Sequence, residues 1–254
     1  MTRPARGTRV LKTLDRILSK AGAGSRTEAR RWIADGRVRV GGRQVRDPET
    51  WLDPGRVKIE LDGAPLTHSR RHTLLVYKPK GYLTTYRDPQ GRKTVYDLLP
   101  PGSRYLFPVG RLDLDTSGLL LMTNDSRLAE RLTNPDHEVP KTYLVKASKL
   151  LTDQQLATLA AGVTLGDGPT RPARVTRVRD SGGRTVFEIT LTEGRNRQVR
   201  RMVESQDAKV LKLVRIAIGP IRIAELTIGG VRDLRAEELR LLAGPSGRSG
   251  RQRS

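Results

Sequence analysis

Two aspartates two residues apart, Asp113 and Asp115, are the side chains in this sequence that could most readily carry out chemistry. They come just before an apolar run, residues 119–122, that is typical of a buried strand. Since side chains two apart lie on one side of an extended segment, the pair could serve acid–base catalysis, metal binding or nucleophilic catalysis by one carboxylate. The alternative is a non-catalytic turn capped by Thr116 and Ser117, and the spacing alone favours that alternative.

The segments that must position these aspartates mix strands with helices over residues 74–243. Strand patterns are predicted at residues 74–77, 118–123, 143–147, 175–178, 185–192 and 210–218. Helical patterns are predicted at residues 126–132, 153–161, 196–204 and 236–242. The second of these helices follows a capping box formed by Thr152 and Gln155. Because the elements do not follow a regular βαβ rhythm, we expect an α+β fold.

A smaller αα-β unit is predicted ahead of this domain, over residues 11–64. Apolar residues at helical spacing predict a first helix near residues 14–21, and a capping box of Ser25 and Glu28 predicts a second helix starting at Arg26. Alternating residues predict two short strands, each followed by a glycine-containing turn, near residues 37–40 and 57–61.

Three further segments complete the predicted organisation of the chain. Residues 1–10 form a basic arm, and the polar stretch at residues 65–73 is the expected linker between the two domains. Residues 244–254 are rich in Gly, Ser and Arg, which predicts a disordered basic tail.

The charge balance points to a polyanionic partner. Lys and Arg together number 48 against 27 Asp and Glu, a formal net charge of +21. Nucleic acid is the expected partner, because each phosphate contact releases condensed counterions. There is no cysteine, which excludes disulfides, thiolate catalysis and cysteine-bound zinc. Only three histidines are present, and two of them lie in the basic linker-like stretch, so a histidine triad or a histidine metal site is not expected.

The apolar content predicts no membrane association. The basic N-terminus is not followed by the apolar run of a signal peptide, and no segment approaches the roughly 20 apolar residues of a membrane span. We therefore expect a cytoplasmic protein with no membrane partner.

The smaller unit carries a group of arginines suited to RNA. Arg26 and Arg30 are four apart and share one helix face, while Arg31 and Arg37 lie close by in the sequence. The stretch LDRILSKAGAGSRTEARRWIADGRVRVGGRQVRDP resembles the S4 RNA-binding module. The resemblance implies binding of structured RNA without chemistry of its own; a solvated face with no partner is the alternative.

The second domain also resembles a known family. GRLDLDTSGLLLMTND is similar to the central motif of the ribosomal RNA pseudouridine synthases. Other motifs of that family occur in the same order: YKPKGYLTTYRDPQGRKTVYDLLP, then KTYLV, then LTEGRNRQVRRM. The resemblance implies a mixed, mainly antiparallel sheet with flanking helices, preceded by an S4 module. The stretches DPQGRKTVYDLLP and LTEGRNRQVRR are closest to the enzymes of the large subunit.

This resemblance assigns roles to particular residues. Asp113 would be the catalytic nucleophile, attacking either the ribose or the base of a uridine. Arg200 would pair with Asp113, and Tyr143 would stack on the uracil and help to remove its C5 proton. Arg111 would fill the space that the extruded base leaves, and Asp115 would hold the loop.

Further basic residues are expected to hold the RNA backbone: Lys78, Lys80, Arg195, Arg197 and Arg201. The resemblance implies no cofactor and no metal. The expected partner is ribosomal RNA, 23S in preference to 16S, free or within a precursor particle, and we expect a monomer. The alternatives are a 16S enzyme, a catalytically silent protein of ribosome assembly, and a metal-dependent nuclease that uses the two aspartates.

Overall fold

The computed structural model of the protein describes residues 11–24, 26–66 and 71–243. These residues form two units, one made of the chain up to residue 72 together with residues 101–107, the other of residues 73–100 and the chain from residue 108 onward. The predicted arm at residues 1–10, the cap Ser25, part of the predicted linker and the predicted tail lie outside the described residues.

The first unit contains two helices and several short strands. The helices are α1 (Leu14–Lys20) and α2 (Arg26–Ala34). The strands are β1 (Lys12–Thr13), β2 (Val38–Val40), β3 (Arg43–Gln44), β4 (Trp51–Leu52), β5 (Ile59–Leu61) and β6 (Ala64–Pro65). One sheet has the strand order β3-β2-β5-β6, and β1 pairs with β4. The predicted start of the second helix at Arg26 is confirmed.

The core of this unit lies where the two helices meet the sheet. Apolar residues spaced along α1 and α2 pack with Val38 and Ile59 from the strands. Gly41 and Gly42 both have positive φ angles, 56° and 79°, which a two-residue hairpin turn between β2 and β3 requires. The turn at Asp62 likewise has positive φ and joins β5 to β6.

The linker predicted at residues 65–73 is too long, because strands extend into it from both sides. Pro65 pairs with Glu60 in the first unit, and Thr73 begins the first strand of the second unit. Residues 101–107 group with the first unit, which the sequence did not indicate.

The second unit has a central sheet flanked by helices. The strands of this unit are β7 (Thr73–Lys78), β9 (Ser117–Thr123), β10 (Lys141–Ala147), β11 (Thr164–Leu165), β12 (Gly168–Pro169), β13 (Arg174–Asp180), β14 (Thr185–Leu191), β15 (Val210–Ile218), β16 (Ile221–Arg222) and β17 (Val231–Asp233). Strands β11 and β12 pair only with each other. The two-residue strand β8 (Phe107–Pro108) begins in the first unit and ends in the second. Its α-helices are α3 (Ser126–Thr133), α4 (Asp153–Ala161), α5 (Gln198–Glu204) and α6 (Ala236–Ala243).

The central sheet is mixed and mainly antiparallel, as expected. Its strands follow the order β13-β14-β10-β15-β9-β7-β17. Strands β15 and β9 run parallel, whereas the other neighbours along this path are antiparallel. In this register Tyr143 lies opposite Arg215. The predicted α+β fold is therefore confirmed.

Alternating side chains of the central strands build the core beneath α4 and α5. Phe187, Ile189 and Leu191 of β14 are buried and pack with Val199 and Met202 of α5. The capping box predicted at Thr152 is present at the start of α4. Within the described residues, no helix is both long and apolar enough to cross a membrane.

Candidate active site

The loop that carries Asp113 is held by hydrogen bonds from a strand and a turn that precede it in the sequence. Lys78, at the end of β7, donates from its Nζ to the carbonyl oxygens of Asp113 at 3.0 Å and Thr116 at 2.7 Å. Thr84 donates its hydroxyl to the carbonyl of Leu112 at 2.8 Å and accepts a hydrogen bond from the Leu112 amide. The backbone on either side of Asp113 is thus fixed, while the side chain of Asp113 stays 37% exposed.

The prediction that Lys78 contacts RNA phosphates is wrong. Its side chain is fully buried and its ammonium group binds three backbone carbonyls, those of Pro79, Asp113 and Thr116. Burial lowers the pKa of Lys78 to about 8, although the carboxylates of Asp113 and Asp115 act in the opposite direction. Lys78 therefore organises the loop of Asp113 from inside the protein. Lys80 is exposed and remains available for phosphate contact.

The predicted ion pair between Arg200 and Asp113 is also different in the structure. Arg200 is mostly buried; its Nη2 forms an ion pair with the Asp115 carboxylate at 3.0 Å and donates a hydrogen bond to the Asp115 carbonyl at 3.1 Å. Its Nη1 donates to the carbonyl of Val210. Arg200 therefore joins the loop to α5 and β15 through Asp115, which has the structural role expected of it.

Arg197 is the arginine that lies near both aspartates. Its Nη1 is 3.9 Å from the Asp113 carboxylate and 3.3 Å from that of Asp115. The backbone of Arg197 is left-handed, with a φ of 47°, at the residue just before α5. That conformation costs a non-glycine residue of the order of 1–3 kcal/mol, and such strain clusters at functional sites. The helix starts two residues later than predicted because of this turn.

A cleft of about 530 Å³ opens beside Asp113. Lys141 and Tyr143 of β10 and Arg215 of β15 line it, as do the loop residues Arg111 and Arg197. Arg111 is exposed, and its role in filling the space left by an extruded base stays a prediction. The structure thus brings Asp113, Tyr143 and Arg111 to one cleft.

The segment between β14 and α5 is held by a compact polar network. Gln198 donates to the carboxylate of Glu193, which also accepts from the backbone amide of Arg171 and from Nε of Arg195. Arg195 in addition donates to carbonyls of the turn between β11 and β12. Arg201 forms a two-pronged ion pair with Asp167 in the same turn.

The roles predicted for Arg195 and Arg201 are therefore changed. Both were expected to hold the RNA backbone, yet their guanidinium groups already bind protein carboxylates or carbonyls, and both side chains are less than a third exposed. They support the rim of the cleft. The sequence could not show this because their partners near Asp167 lie about thirty residues earlier.

In the first unit, Asp15 of α1 gathers two of the arginines that were expected to bind RNA. Its buried carboxylate accepts hydrogen bonds from Arg26 and Arg30, each at 2.8 Å. Burial raises the pKa of Asp15, but hydrogen bonds from Thr13, Arg30 and Arg26 outweigh it and lower the pKa to about 2.

Arg31 and Arg37 differ from that pair in what surrounds them. Arg37 forms a two-pronged pair with Asp62 and lies over the Trp32 ring. Arg31 is 83% exposed, with only a long contact to Asp35 at 3.9 Å. These four arginines, predicted to bind RNA, thus lie in the first unit, but Asp15 and Asp62 offset part of their charge.

Two residues that line the cleft were missed by sequence reasoning as functional candidates, Arg215 and Glu193. An arginine inside the apolar run VLKLVRIAI was the available signal for Arg215, because charged residues are almost never fully buried without a partner. Glu193 offered no such signal. Among the described residues, no group of three or more His, Cys, Asp or Glu side chains is placed to hold a metal ion.

The arrangement suits nucleophilic chemistry on a flipped nucleotide. An exposed carboxylate on a rigid loop can attack an electrophilic carbon, and an aromatic side chain of the same cleft can stack on a base. Nearby arginines attract the phosphates of a nucleic acid.

Comparison with known proteins gives the same class. Residues 72–205 match the family described as RNA pseudouridylate synthase, and residues 12–57 match the S4 domain. An uncharacterised RNA pseudouridine synthase of Aquifex aeolicus is 39% identical over 227 residues, which cover 89% of this chain and 91% of the relative. A ribosomal large subunit pseudouridine synthase B of Bacillus subtilis is 35% identical, with 91% of this chain and 96% of the relative covered.

A solved structure agrees with these relatives. The crystal structure of a pseudouridylate synthase superposes with a TM-score of 0.66 at 29% identity, covering 91% of this chain and 99% of the other. Fold and sequence together define an RNA-modifying isomerase with an appended RNA-binding module. The chain belongs to the RNA pseudouridylate synthase family and carries an S4 domain.

Proposed function

We propose that this protein converts a uridine of large-subunit (23S) ribosomal RNA to pseudouridine, with Asp113 as the nucleophile and without a cofactor. The observation that carries the proposal is the partly exposed Asp113 side chain, on a loop fixed by Lys78 and Thr84, beside a cleft that Tyr143 also lines.

The reaction fits a cofactor-free site. Uridine and pseudouridine have the same composition, so the conversion needs neither an oxidant nor a leaving group lost to solvent. The N1–C1′ bond breaks, a bond forms between C1′ and C5, and the C5 proton leaves while N1 gains one. The protein needs to supply a nucleophile, a pocket for the extruded base and a route for one proton.

The residues of the cleft divide these tasks. Asp113 attacks the nucleotide through its carboxylate, and Nη1 of Arg197 lies 3.9 Å from that group. Tyr143 stacks on the uracil and assists removal of the C5 proton. Arg111 occupies the space that the base leaves in the RNA. Arg200 acts through Asp115 and is a positioning residue.

The proposed substrate follows from the relatives and the charge. The Bacillus subtilis relative is named for the large ribosomal subunit, and its match spans nearly all of both chains. The net charge of +21 and the S4 domain support an RNA substrate with many phosphate contacts.

The proposal is tested by mapping pseudouridine in 23S and 16S ribosomal RNA after incubation with the native protein. We expect one modified position in 23S RNA and none in 16S RNA. Modification of 16S RNA alone would overturn the choice of subunit, and modification of neither RNA, free or in precursor particles, would favour a catalytically silent RNA-binding protein.

A further inference from the structure

Arg215 is a buried cation of the cleft that forms no ion pair with a carboxylate of the described residues. It lies on β15, is only 5% exposed and lines the cleft. Its Nε donates to the carbonyl of Leu119 at 2.7 Å, which fixes the plane of the guanidinium group. Its Nη2 is buried without a hydrogen-bond partner within the described part of the chain.

A buried guanidinium without a counter-charge is strongly unfavourable, because the protein interior does not replace the water that the cation has lost. Arg200 and Arg201 show what this protein does with other arginines of low exposure, since each pairs with an aspartate. Arg215 makes no ion pair of that kind with any described residue. The difference indicates that something other than the protein completes its surroundings.

A second cation, Lys141, lies in the same cleft. Burial lowers the pKa of Lys141, and the charge of Arg215 adds to that effect. The neighbouring lining residues Leu191, Leu213 and Ile218 are apolar and buried. Two cations among apolar side chains form a site for electron-rich oxygen atoms, where electrostatic interactions are stronger than in water.

The strand register places this site beside the residue proposed to stack on the base. Tyr143 and Arg215 face each other across the antiparallel pair β10–β15, and facing residues have Cα atoms about 4.5–5.5 Å apart. Lys141 is two residues before Tyr143, on the same side of β10. A base that lies on the Tyr143 ring would therefore direct its edge toward Arg215 and Lys141.

We propose that Arg215, with Lys141, binds the carbonyl oxygens of the extruded uracil and stabilises the negative charge that the ring gains during the reaction. This inference rests on the proposed function. When the N1–C1′ bond breaks, its electron pair goes to the ring and is shared by the two carbonyl oxygens. The pair returns when C5 bonds to C1′. If Asp113 attacks the base instead, the added electron pair also resides on a carbonyl oxygen.

The same contact discriminates between pyrimidines. Cytosine carries an amino group where uracil has its O4 carbonyl, so that its N–H donors would face two cations. Repulsion of that kind lowers the affinity for the wrong base without any new contact to the right one. A backbone phosphate is a poorer occupant, because the apolar lining and the position beside Tyr143 suit the edge of a ring.

The proposal is tested with RNA in which sulfur replaces one carbonyl oxygen, since sulfur is the weaker acceptor. Ribosomal RNA transcripts containing uridine, 2-thiouridine or 4-thiouridine are given to the native protein and to Arg215→Gln, and kcat for formation of the rearranged nucleoside is measured. A hydrogen bond to a charged group corresponds to about a ten- to hundredfold change in rate. We expect one of the two thio substitutions to lower kcat of the native protein by that factor. The same substitution should lower kcat of Arg215→Gln by less than about threefold.

Both proteins meet the same RNA, so effects of sulfur on RNA structure cancel in the comparison. With unmodified RNA, Arg215→Gln should lower kcat at least about tenfold with little change in RNA affinity. Arg215→Lys should restore part of that loss because it keeps the charge. Arg222→Gln is the matched control, since it removes an exposed arginine from the adjoining strand β16 and should leave kcat unchanged.

Equal slowing of native protein and Arg215→Gln by both thio substitutions would overturn the proposal, as would a normal kcat for Arg215→Gln. The same assay on Asp113→Asn separates the two proposals. Turnover by Asp113→Asn would reject only the assignment of Asp113 as the nucleophile. If Asp113→Asn is inactive but sulfur slows the native protein and Arg215→Gln equally, only the role of Arg215 is rejected.

Discussion

Asp113 and Asp115 are two residues apart, yet their surroundings give them different tasks. Asp115 binds the buried guanidinium of Arg200 through both its carboxylate and its carbonyl, whereas the closest cation to the Asp113 carboxylate among the described ion pairs is Arg197 at 3.9 Å. The first arrangement resists motion of the loop, and the second leaves an atom free to react. The spacing alone did not tell a reactive carboxylate from a structural one, whereas the contacts of each side chain do.

Removing the buried partner of Asp115 should destabilise the protein. Arg200→Met leaves the Asp115 carboxylate without its closest cation and the Val210 carbonyl without a side-chain donor. Because Asp115 is 35% exposed and keeps Arg197 at 3.3 Å, the expected cost is about 1–3 kcal/mol, that of leaving hydrogen-bonding groups unsatisfied. Urea unfolding should show a loss of that size, compared with less than about 0.5 kcal/mol for the exposed control Arg174→Met. Equal losses in both variants would contradict the role assigned to Arg200.

Lys78 should make stability depend on pH above neutrality. Burial lowers its pKa in the folded protein from 10.5 to about 8, so the folded protein holds this proton less tightly than the unfolded chain does. Below pH 8 the cost of the buried charge is fully present, and between about pH 8 and 10.5 the contribution of Lys78 to the free energy of unfolding rises.

The measurement is the free energy of unfolding of the native protein minus that of Lys78→Met, from urea titrations at several pH values. This difference should be constant below pH 8 and increase above it, by at most about 1.4 kcal/mol per pH unit. A difference that stays flat from pH 7 to 10 would show that Lys78 is not desolvated.

Strands β9 and β15 approach each other closely at a glycine. They run parallel at Ser117 and Gly118, and Gly118 has a φ of 116° against the backbone of Arg215. A Cβ at this position would overlap the Arg215 backbone, so only glycine allows the two strands to pair here. The loop of Asp113 ends at this point, so the strand contact anchors one end of that loop.

Gly118→Ala should therefore destabilise the fold by at least about 2 kcal/mol, because both the φ angle and the steric overlap oppose it. Gly183→Ala is the matched control, since its φ is also positive, 70°, but no atom lies within 4 Å of the added Cβ. We expect a smaller loss there, about 1 kcal/mol. Thermal unfolding of both variants measures the difference in stability. Similar losses of stability would show that steric overlap with the Arg215 backbone does not contribute.

Local signals in the sequence predicted elements well and contacts poorly. The starts of α2 and α4 follow from residues within four positions, and the alternation of Phe187, Ile189 and Leu191 reveals the buried side of β14. The role of Lys78 could not be predicted, because its partners Asp113 and Thr116 come more than thirty residues later. The same is true of Arg200 and Asp115, which the fold alone brings together.

Across the protein, only part of the positive charge is available to RNA, because aspartates bind several of the arginines. Asp15, Asp62 and Asp167 each bind arginines that were expected to contact phosphates. Arg31 remains 83% exposed, and Arg39 is also exposed. These two are therefore the better candidates for RNA contacts in the S4 domain.

The double variant Arg31→Gln, Arg39→Gln should reduce the salt dependence of RNA binding. Each lost phosphate contact lowers the slope of log affinity against log salt concentration by roughly 0.7–0.9, so the two together should lower it by between about 1 and 2. Filter binding to ribosomal RNA over a range of potassium chloride concentrations measures the slope. The lysine variants of both positions keep the charge and should keep the slope, and an unchanged slope in the glutamine variant would argue against RNA contact by these residues.

The most direct test of the mechanism is the release of tritium from C5-labelled uridine in 23S ribosomal RNA by native protein and Asp113→Asn. Asparagine keeps the size of the side chain and removes its nucleophilic charge, so we predict no release above background with RNA affinity within about twofold of native. Asp136→Asn, which changes an exposed aspartate outside the cleft, should release tritium at the native rate. Release by Asp113→Asn at a rate near that of the native protein would contradict the assignment of Asp113 as the nucleophile.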